Sequence, residues 1–360
     1  LDAMLRSAGY RVGRFTSPHL IDVTERFQVD ARPMPSATLD AQIVLFREVA
    51  AGMDPPPTFF EMCTAIAFRY FAQEHIDIAV IEVGMGGRLA ATAITNIDLE
   101  HTQYLGDTLE AIAGEKAGIL KPHVPAVVAE TRPGPRDVIL ARARGLDVPV
   151  TLAERDFRYE VSGGPWQQRL RYESAGLELE APMALAGRHQ AANAAVATAL
   201  AETLHPQCDK LDAQAIADGL EHARWPCRLD RVLDDPPVII DVAHNVAGAR
   251  TVTQGLDRCV TVLAVSSDKN AVGMIELLAP LSQPLILTTF HGKRALDIET
   301  LCHAAGTHPY QTAHDLEAAI ATGLSLASQD TPLLITGSIY TAGEARRILT
   351  DHYGAAPLRF

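Results

Sequence analysis

The apolar and polar positions of the chain repeat with two periods, which predict helices and strands in turn. Residues 1–8 place apolar side chains three to four positions apart, which predicts a helix, and residues 10–15 predict a strand directly after it. The helical spacing returns over 39–51 and 59–73. Residues 76–83 form a run of mainly β-branched side chains, which is typical of a strand buried on both faces of a parallel sheet.

The next part of the chain continues this alternation and then changes character. Residues 91–98 and 125–130 predict two more strands, with a helix over 109–117 between them, as in a doubly wound α/β sheet. Short alternating segments between 150 and 182 predict antiparallel hairpins. A long alanine-rich helix is predicted over 189–204.

After Trp225 the alternation of strands and helices starts afresh. Four apolar strand segments, each followed by a helical pattern, predict a second, smaller α/β domain with a mostly parallel sheet that begins near residue 228. The sequence therefore predicts an α/β protein of two domains, residues 1–224 and 228–360.

Composition and charge narrow the class of protein. The 360 residues are 48% hydrophobic and 21% charged, as in an ordinary globular chain, and the net charge of -13 without any run of Lys or Arg argues against general nucleic-acid binding. No stretch reaches the roughly 18–20 apolar residues of a membrane helix, and no signal-peptide pattern is visible, so we expect a cytoplasmic protein. Five widely spaced cysteines without a C-x-x-C pair predict buried free thiols.

Polar residues follow directly on apolar runs at four places, and open α/β sheets bind ligands at such strand ends. These places are residues 16–19, Glu82 with the glycine-rich turn after it, residues 98–101 and residues 241–245. A Glu and a His from neighbouring strand ends, Glu82 and His101, fit a Mg²⁺ site that also holds phosphate. The spacing alone leaves an alternative open, in which Glu82 pairs with Arg88 and His101 caps a helix.

Lys116 lies in a predicted helix with small neighbours. A partly buried lysine with a lowered pKa reacts with CO₂ to give a carbamate, which can bind a metal ion. The ordinary alternative is a surface ion pair with Glu110 or Glu115. The residues by themselves favour the surface pair.

A set of segments in a fixed order resembles the folylpolyglutamate synthase and dihydrofolate synthase family of the Mur ligase superfamily, and the resemblance covers nearly the whole chain. The segments are AGYRVGRFTSPHL with ERF, FFEMCTAIAF, IEVGMGGRL, ITNIDLEHTQYLG, IAGEKAGILK, GRHQAANAAVA, RWPCRLDRV, IIDVAHN, SDKN and ITGSIY.

The resemblance implies a Mur-ligase-like architecture, in which a P-loop-type doubly wound sheet precedes a smaller Rossmann-like domain. It also implies an ATP-dependent amide ligase of folate biosynthesis and one-carbon metabolism. ATP and Mg²⁺ would convert a carboxylate to an acyl phosphate, which the amino group of L-glutamate attacks. The acid would be dihydropteroate or a reduced folate. A monomer is implied, with neither nucleic acid nor membrane as a partner.

The same resemblance assigns the residues of the metal end. Glu82 and His101 would ligate Mg²⁺, and Lys116 would be the carbamylated lysine beside a second metal ion. Ser17 and His19 match the loop near the metal and the phosphates. We expect all five in the first domain.

The resemblance also assigns residues to the binding of the nucleotide and of the incoming glutamate. Gln190 and Asn193 match positions near the nucleotide, with a polar helix end as the alternative, and Arg228 matches an arginine that reaches the ATP phosphates, with an exposed linker arginine as the alternative. The second-domain face that meets ATP and glutamate would present Asp241, His244, Asn245 and Ser338, although Ser338 serves equally well as a helix N-cap.

Several features depart from the family pattern. The family carries a glycine-rich phosphate-binding loop before the helix that residues 1–8 resemble, so we expect further residues upstream of Leu1. After Arg88 the loop is short, and Ala90 takes the place of an Asp. Glu100 replaces an Asp before His101, and Cys227 replaces a Gly, which would stiffen the hinge.

Three hypotheses remain at this stage. The leading one is a bifunctional ligase that adds glutamate to dihydropteroate and to folates. A second is a non-catalytic relative that binds a folate-like ligand or a partner protein, and a third is a sister Mur-type ligase for another acid, because a fold does not determine the substrate.

Overall fold

The computed structural model describes residues 1–82, 90–99 and 105–360, and the described chain forms two compact units. The first comprises residues 1–17, 26–184 and 189–223, and the second comprises residues 18–25, 185–188 and 224–360. The short segments 18–25 and 185–188 were not anticipated as parts of the second unit. Strands are numbered below in chain order, and helices are given by their residues.

The first unit contains three described sheets. One has the order β3-β2-β1-β4, with β1 parallel to β4 and the other pairs antiparallel, and a second has the order β5-β6-β7 with parallel strands. The third, β10-β9-β8, is antiparallel and confirms the predicted hairpins. The strands are β1 Val12–Phe15, β2 Phe27–Val29, β3 Arg32–Pro33, β4 Ile78–Ile81, β5 Thr92–Ile94, β6 Ala126–Val128, β7 Val150–Leu152, β8 Phe157–Ser162, β9 Gln168–Ser174 and β10 Glu178–Met183.

Local sequence signals explain where several helices of this unit begin. Thr58 and Glu61 form a reciprocal capping box at the start of one helix, and the side chains of Thr108 and Asp212 cap two others. At Gly9 the first helix has ended, and φ is +83°, a conformation that favours glycine. The helices are Asp2–Ser7, Ser36–Ala50, Phe59–Gln73, Leu109–Lys116, Pro133–Gly145, Arg188–Leu204 and Ala213–His222.

The second unit is built on one six-stranded sheet of order β11-β12-β16-β13-β14-β15, in which β11 is antiparallel and the other strands are parallel. Its strands are β11 Asp230–Asp234, β12 Pro237–Ile240, β13 Cys259–Leu263, β14 Ser282–Leu287, β15 Gln311–Thr312 and β16 Leu333–Thr336. Its helices are Val246–Thr253, Ala271–Leu278, Ile298–Ala305, Leu316–Leu326 and Ile339–Tyr353. Strands β12, β13 and β16 are fully buried, as the continuous apolar runs predict.

One strand differs from its prediction. The run 76–83 was expected to be buried on both faces, but β4 spans Ile78–Ile81 with half-buried and exposed residues. Among the described strands, β1 is its single hydrogen-bonded neighbour, so β4 is the edge strand of the sheet as far as the structure describes it. The amino-acid pattern is that of an interior strand, but burial depends on the neighbours that the fold supplies.

Two expectations about composition can be compared with the structure. The five cysteines are free, and four of them are buried. Within the described residues, we find no helix that combines the length and apolar character needed to cross a membrane.

Candidate functional site

Ser17 and Glu82 meet at one edge of the first sheet. Strands β1 and β4 are parallel, with Phe15 opposite Ile81, so the residues that follow each strand emerge side by side. The backbone N–H of Glu82 donates to the carbonyl of Phe15 at 2.8 Å, and the backbone N–H of Ser17 donates to the Glu82 Oε2 atom at 2.6 Å. The carboxylate of Glu82 is exposed and is oriented by a backbone donor. Such a group suits a hard cation.

Of the other residues predicted to lie near the metal ion, the structure describes His19 but not His101. His19 is half-buried in the loop after Ser17 and belongs to the second unit, not to the first as expected. His101 and Arg88 lie outside the described residues, so neither the predicted Mg²⁺ pair nor the alternative salt bridge of Glu82 is described. Within the described ranges there is no group of three or more His, Cys, Asp or Glu side chains that could hold a metal ion.

Lys116 is the last residue of the helix Leu109–Lys116 and is exposed. The carbamate hypothesis depends on partial burial, because desolvation is what lowers the pKa of a lysine. The position of Lys116 in this structure therefore gives no support to a carbamate.

Gln190 and Asn193 lie one turn apart near the start of the helix Arg188–Leu204. Asn193 Nδ2 donates to Gln190 Oε1 at 3.1 Å, so the two side chains share a face, as their spacing predicts. Gln190 is buried and Asn193 is exposed. Their role toward a nucleotide stays a prediction.

Asp241 follows β12 at the carboxyl edge of the second unit's sheet and is 6% exposed. Its Oδ2 atom accepts the backbone N–H of Leu229, and its Oδ1 atom accepts that of Ala243, both at 2.8 Å. Burial raises the pKa of this carboxyl group, although the two N–H donors and the nearby charge of Arg228 oppose the rise. Asp241 therefore holds the backbone of the segment around Leu229 against the strand end, and its predicted catalytic role is not visible in these contacts.

His244, Asn245 and Ser338 occupy the same sheet edge. The Nδ1 atom of His244 lies 3.0 Å from the carbonyl oxygen of Val242, a distance at which an Nδ1–H group donates to that oxygen. Asn245 caps the helix Val246–Thr253 by accepting the Gly248 N–H at 2.7 Å. Ser338 caps the helix Ile339–Tyr353, so the structural alternative for Ser338 is present.

One contact at this edge was missed. Ser266 follows β13, and its Oγ lies 2.9 Å from Oγ of Ser338 while both residues are buried. The strand-end rule that singled out Asp241 applies equally to Ser266, which directly precedes the SDKN segment but is not among the predicted site residues. Arg228 is exposed. Exposure is compatible both with a contact to the ATP phosphates and with an ordinary linker arginine.

Comparison with known proteins agrees with this layout. The Mur ligase middle domain matches residues 57–201, and the Mur ligase glutamate ligase domain matches residues 227–339. The dihydrofolate synthase/folylpolyglutamate synthase of Mycobacterium tuberculosis is 34% identical over 401 residues, covering 97% of this chain and 82% of that protein.

Solved structures agree as well. The M. tuberculosis folylpolyglutamate synthase complexed with ADP and AMPPCP has a TM-score of 0.88 and 32% identity, covering 99% of this chain and 88% of that one. Escherichia coli FolC in complex with DHPP and ADP has a TM-score of 0.85 and 28% identity, covering 98% and 85%.

These relatives match over most of their own length, and their names describe synthases, so a non-catalytic relative is not favoured. The fold, the two matched domains and the relatives lead to one conclusion. The chain belongs to the dihydrofolate synthase/folylpolyglutamate synthase family of Mur ligases and is an ATP-dependent acid–amino-acid ligase.

Proposed function

We propose that this ligase attaches L-glutamate to dihydropteroate, to folyl-(poly)glutamates, or to both, through an acyl phosphate made from ATP. The observation that carries the proposal is the carboxylate of Glu82, a residue within the matched range 57–201, which the Ser17 N–H orients at the end of the parallel strands β1 and β4. The names of the relatives, which include both activities, support the two substrate classes.

Mg²⁺ is the cation we propose at this end. The exposed carboxylate oxygens of Glu82 are ligands of the type that Mg²⁺ prefers, and His101 is the second proposed ligand. When bound there, Mg²⁺ would neutralise charge on the phosphates during phosphoryl transfer. The chain's own contribution is to hold Glu82 in place through Ser17, with His19 in the same loop. The carbamate on Lys116 is not part of this proposal.

The second unit would present the remaining groups. We assign to Arg228 a contact with the phosphates, because it is exposed and carries a charge that a phosphate matches. His244, Asn245 and Ser338 line the carboxyl edge of the six-stranded sheet, where open α/β sheets bind ligands. Gln190 and Asn193 are proposed to lie near the nucleotide.

The direct test is release of phosphate by the full-length protein with ATP, Mg²⁺ and L-glutamate. Separate reactions contain dihydropteroate or a reduced folate as the acid, and a third omits the acid. We expect release that depends on both glutamate and at least one of these acids. If the protein folds normally but neither dihydropteroate nor a reduced folate gives glutamate-dependent release of phosphate, the folate assignment is contradicted. The substrate would then be another acid.

Glu82→Ala tests the site itself. Loss of the carboxylate should lower kcat/KM by at least about a hundredfold, because a phosphoryl-transfer metal site loses a charged ligand. Glu178→Ala is the matched control, since Glu178 is an exposed carboxylate that pairs with Arg171 on a surface hairpin. Equal kcat/KM values for the two variants would contradict the proposed role of Glu82 in the active site.

A further inference from the structure

The connection between β1 and β2 is a hairpin whose base and tip belong to different units. At the base, the Thr16 N–H donates to the Arg26 carbonyl at 3.2 Å, which continues the pairing of Phe15 with Phe27. Residues 18–25, the hairpin tip, belong to the second unit. The loop that starts at Ser17 therefore begins and ends in the first unit, and its middle belongs to the second.

The hairpin tip has an internal framework. The buried carboxylate of Glu25 accepts three backbone N–H bonds, from Leu20 at 2.7 Å, Ile21 at 3.0 Å and Asp22 at 2.8 Å. Asp22 in turn accepts the N–H and the hydroxyl of Thr24 at 2.8 and 2.6 Å, and these bonds hold the pKa of Asp22 below its ordinary value. These bonds tie the backbone of the tip to two of its own carboxylates.

The hairpin tip is fitted against the helix Ile339–Tyr353. The side chain of Leu20 packs on the apolar cluster that contains Ala342 and Ala345 of that helix. At Gly343 the helix approaches so closely that a Cβ atom would lie 2.2 Å from the carbonyl oxygen of Leu20. Only glycine permits this approach without movement of the backbone, so the close contact depends on Gly343.

We propose that Gly343 and Glu25 are positioning residues for the metal end, a role that rests on the function proposed above for Glu82. They hold the hairpin tip on the last helix, and the tip holds the Ser17 backbone that orients the Glu82 carboxylate. Three backbone steps join Ser17 to Leu20, a reach of at most about 11 Å. Because this span is short, we expect a displacement of Leu20 to disturb the 2.6 Å hydrogen bond between Ser17 and Glu82.

Gly343→Ala tests this directly. The added methyl group must displace the Leu20 carbonyl, so amide hydrogen exchange should accelerate at least about tenfold over residues 16–22. Activity should fall roughly 10- to 100-fold in kcat/KM, with the KM for Mg²⁺ raised. Alanine has the higher helix propensity, so a purely local effect would instead slow exchange within residues 339–353.

Gly145→Ala is the matched control, because Gly145 ends another helix and a Cβ there meets nothing within 4 Å. Glu25→Gln is the second variant. It turns one oxygen into a donor that faces backbone N–H groups, so it should reproduce the exchange and KM effects even if Gly343→Ala fails to fold.

The outcomes separate the two proposals. Faster exchange at residues 16–22 with an inactive wild-type enzyme would support the positioning role and reject the proposed function of the site. An active enzyme in which both variants match Gly145→Ala in exchange and in KM would overturn the positioning role.

Discussion

At the scale of single residues, Glu130 shows how a buried carboxylate is retained. It follows β6 with its side chain 1% exposed, and it accepts the Ile97 N–H at 2.7 Å and the Arg132 N–H and Nε at 2.9 Å. Burial raises the pKa of Glu130, but the bonds from Arg132 and Ile97 outweigh burial, and the net pKa is lowered. One side chain thereby ties the segment after β5 to the end of β6.

We expect Glu130→Ala to reduce the free energy of unfolding by about 2–3 kcal/mol, because it leaves buried N–H groups without an acceptor. Urea denaturation at pH 7 measures this, and Glu178→Ala should change it by less than about 0.5 kcal/mol. Since the folded pKa of Glu130 lies below the unfolded value near 4.5, its contribution is present above that pH and is lost as the pH falls through the folded pKa. If the difference in the free energy of unfolding between wild type and Glu130→Ala does not shrink as the pH is lowered, this assignment is contradicted.

At the scale of elements, Tyr172 and Glu202 join the antiparallel hairpins to the helix Arg188–Leu204. Tyr172 is fully buried on β9, stacks on Phe157 with ring centroids 5.7 Å apart, and donates its hydroxyl to Glu202. Ser174 donates to the other oxygen of Glu202 at 2.6 Å. Burial, and then the Glu202 carboxylate, raise the pKa of Tyr172, so it remains a neutral donor.

Tyr172→Phe keeps the stacked ring and removes only the donor. We expect a loss of about 1–2 kcal/mol in the free energy of unfolding, because Glu202 keeps Ser174 but loses its second side-chain donor. Tyr159→Phe, at a 40% exposed position on the neighbouring β8, is the control and should change stability by less than about 0.5 kcal/mol. Equal urea midpoints for the two variants would show that the hydroxyl contributes nothing.

At the scale of the whole molecule, the cysteines report on global opening. Cys63, Cys208, Cys227 and Cys259 are buried in both units, and burial raises the pKa of each thiol. Cys302 is half-buried. Thiolates are the reactive form, so the buried four are protected twice, by lack of access and by protonation.

We expect DTNB at pH 8 to modify no more than one thiol rapidly in the folded protein, at Cys302, and all five in denaturant. The four slow thiols should react at the rate at which each unit unfolds. Mass spectrometry identifies the labelled sites, and a Cys302→Ser variant should abolish the fast phase. Rapid labelling of Cys227 or Cys259 would mean that the second unit opens without unfolding.

Much of the fold follows from local pattern. The period of apolar residues identified four strand segments of the second unit and the helix after each, because strands such as β12, β13 and β16 are buried on both faces and leave continuous apolar runs. The two-residue strand β15 and the helix Leu316–Leu326 were not predicted. The strand-end rule also singled out residues 16–19 and Glu82, and the structure brings Ser17 and Glu82 into contact. By itself, therefore, the sequence determined the α/β class, the succession of elements and the edges where chemistry is concentrated.

Tertiary structure decided the rest, because it depends on contacts between residues far apart in the chain. No local pattern shows that both carboxylate oxygens of Asp241 accept hydrogen bonds from backbone N–H groups. Nor does a local pattern show that β4 has one described neighbouring strand instead of two. Nor does it show that residues 18–25 belong to the second unit, where the carbonyl of Leu20 lies close to Gly343, more than 300 positions later in the chain. Periodicity describes a chain one element at a time, whereas burial and close approach are properties of pairs of elements that only the folded protein brings together.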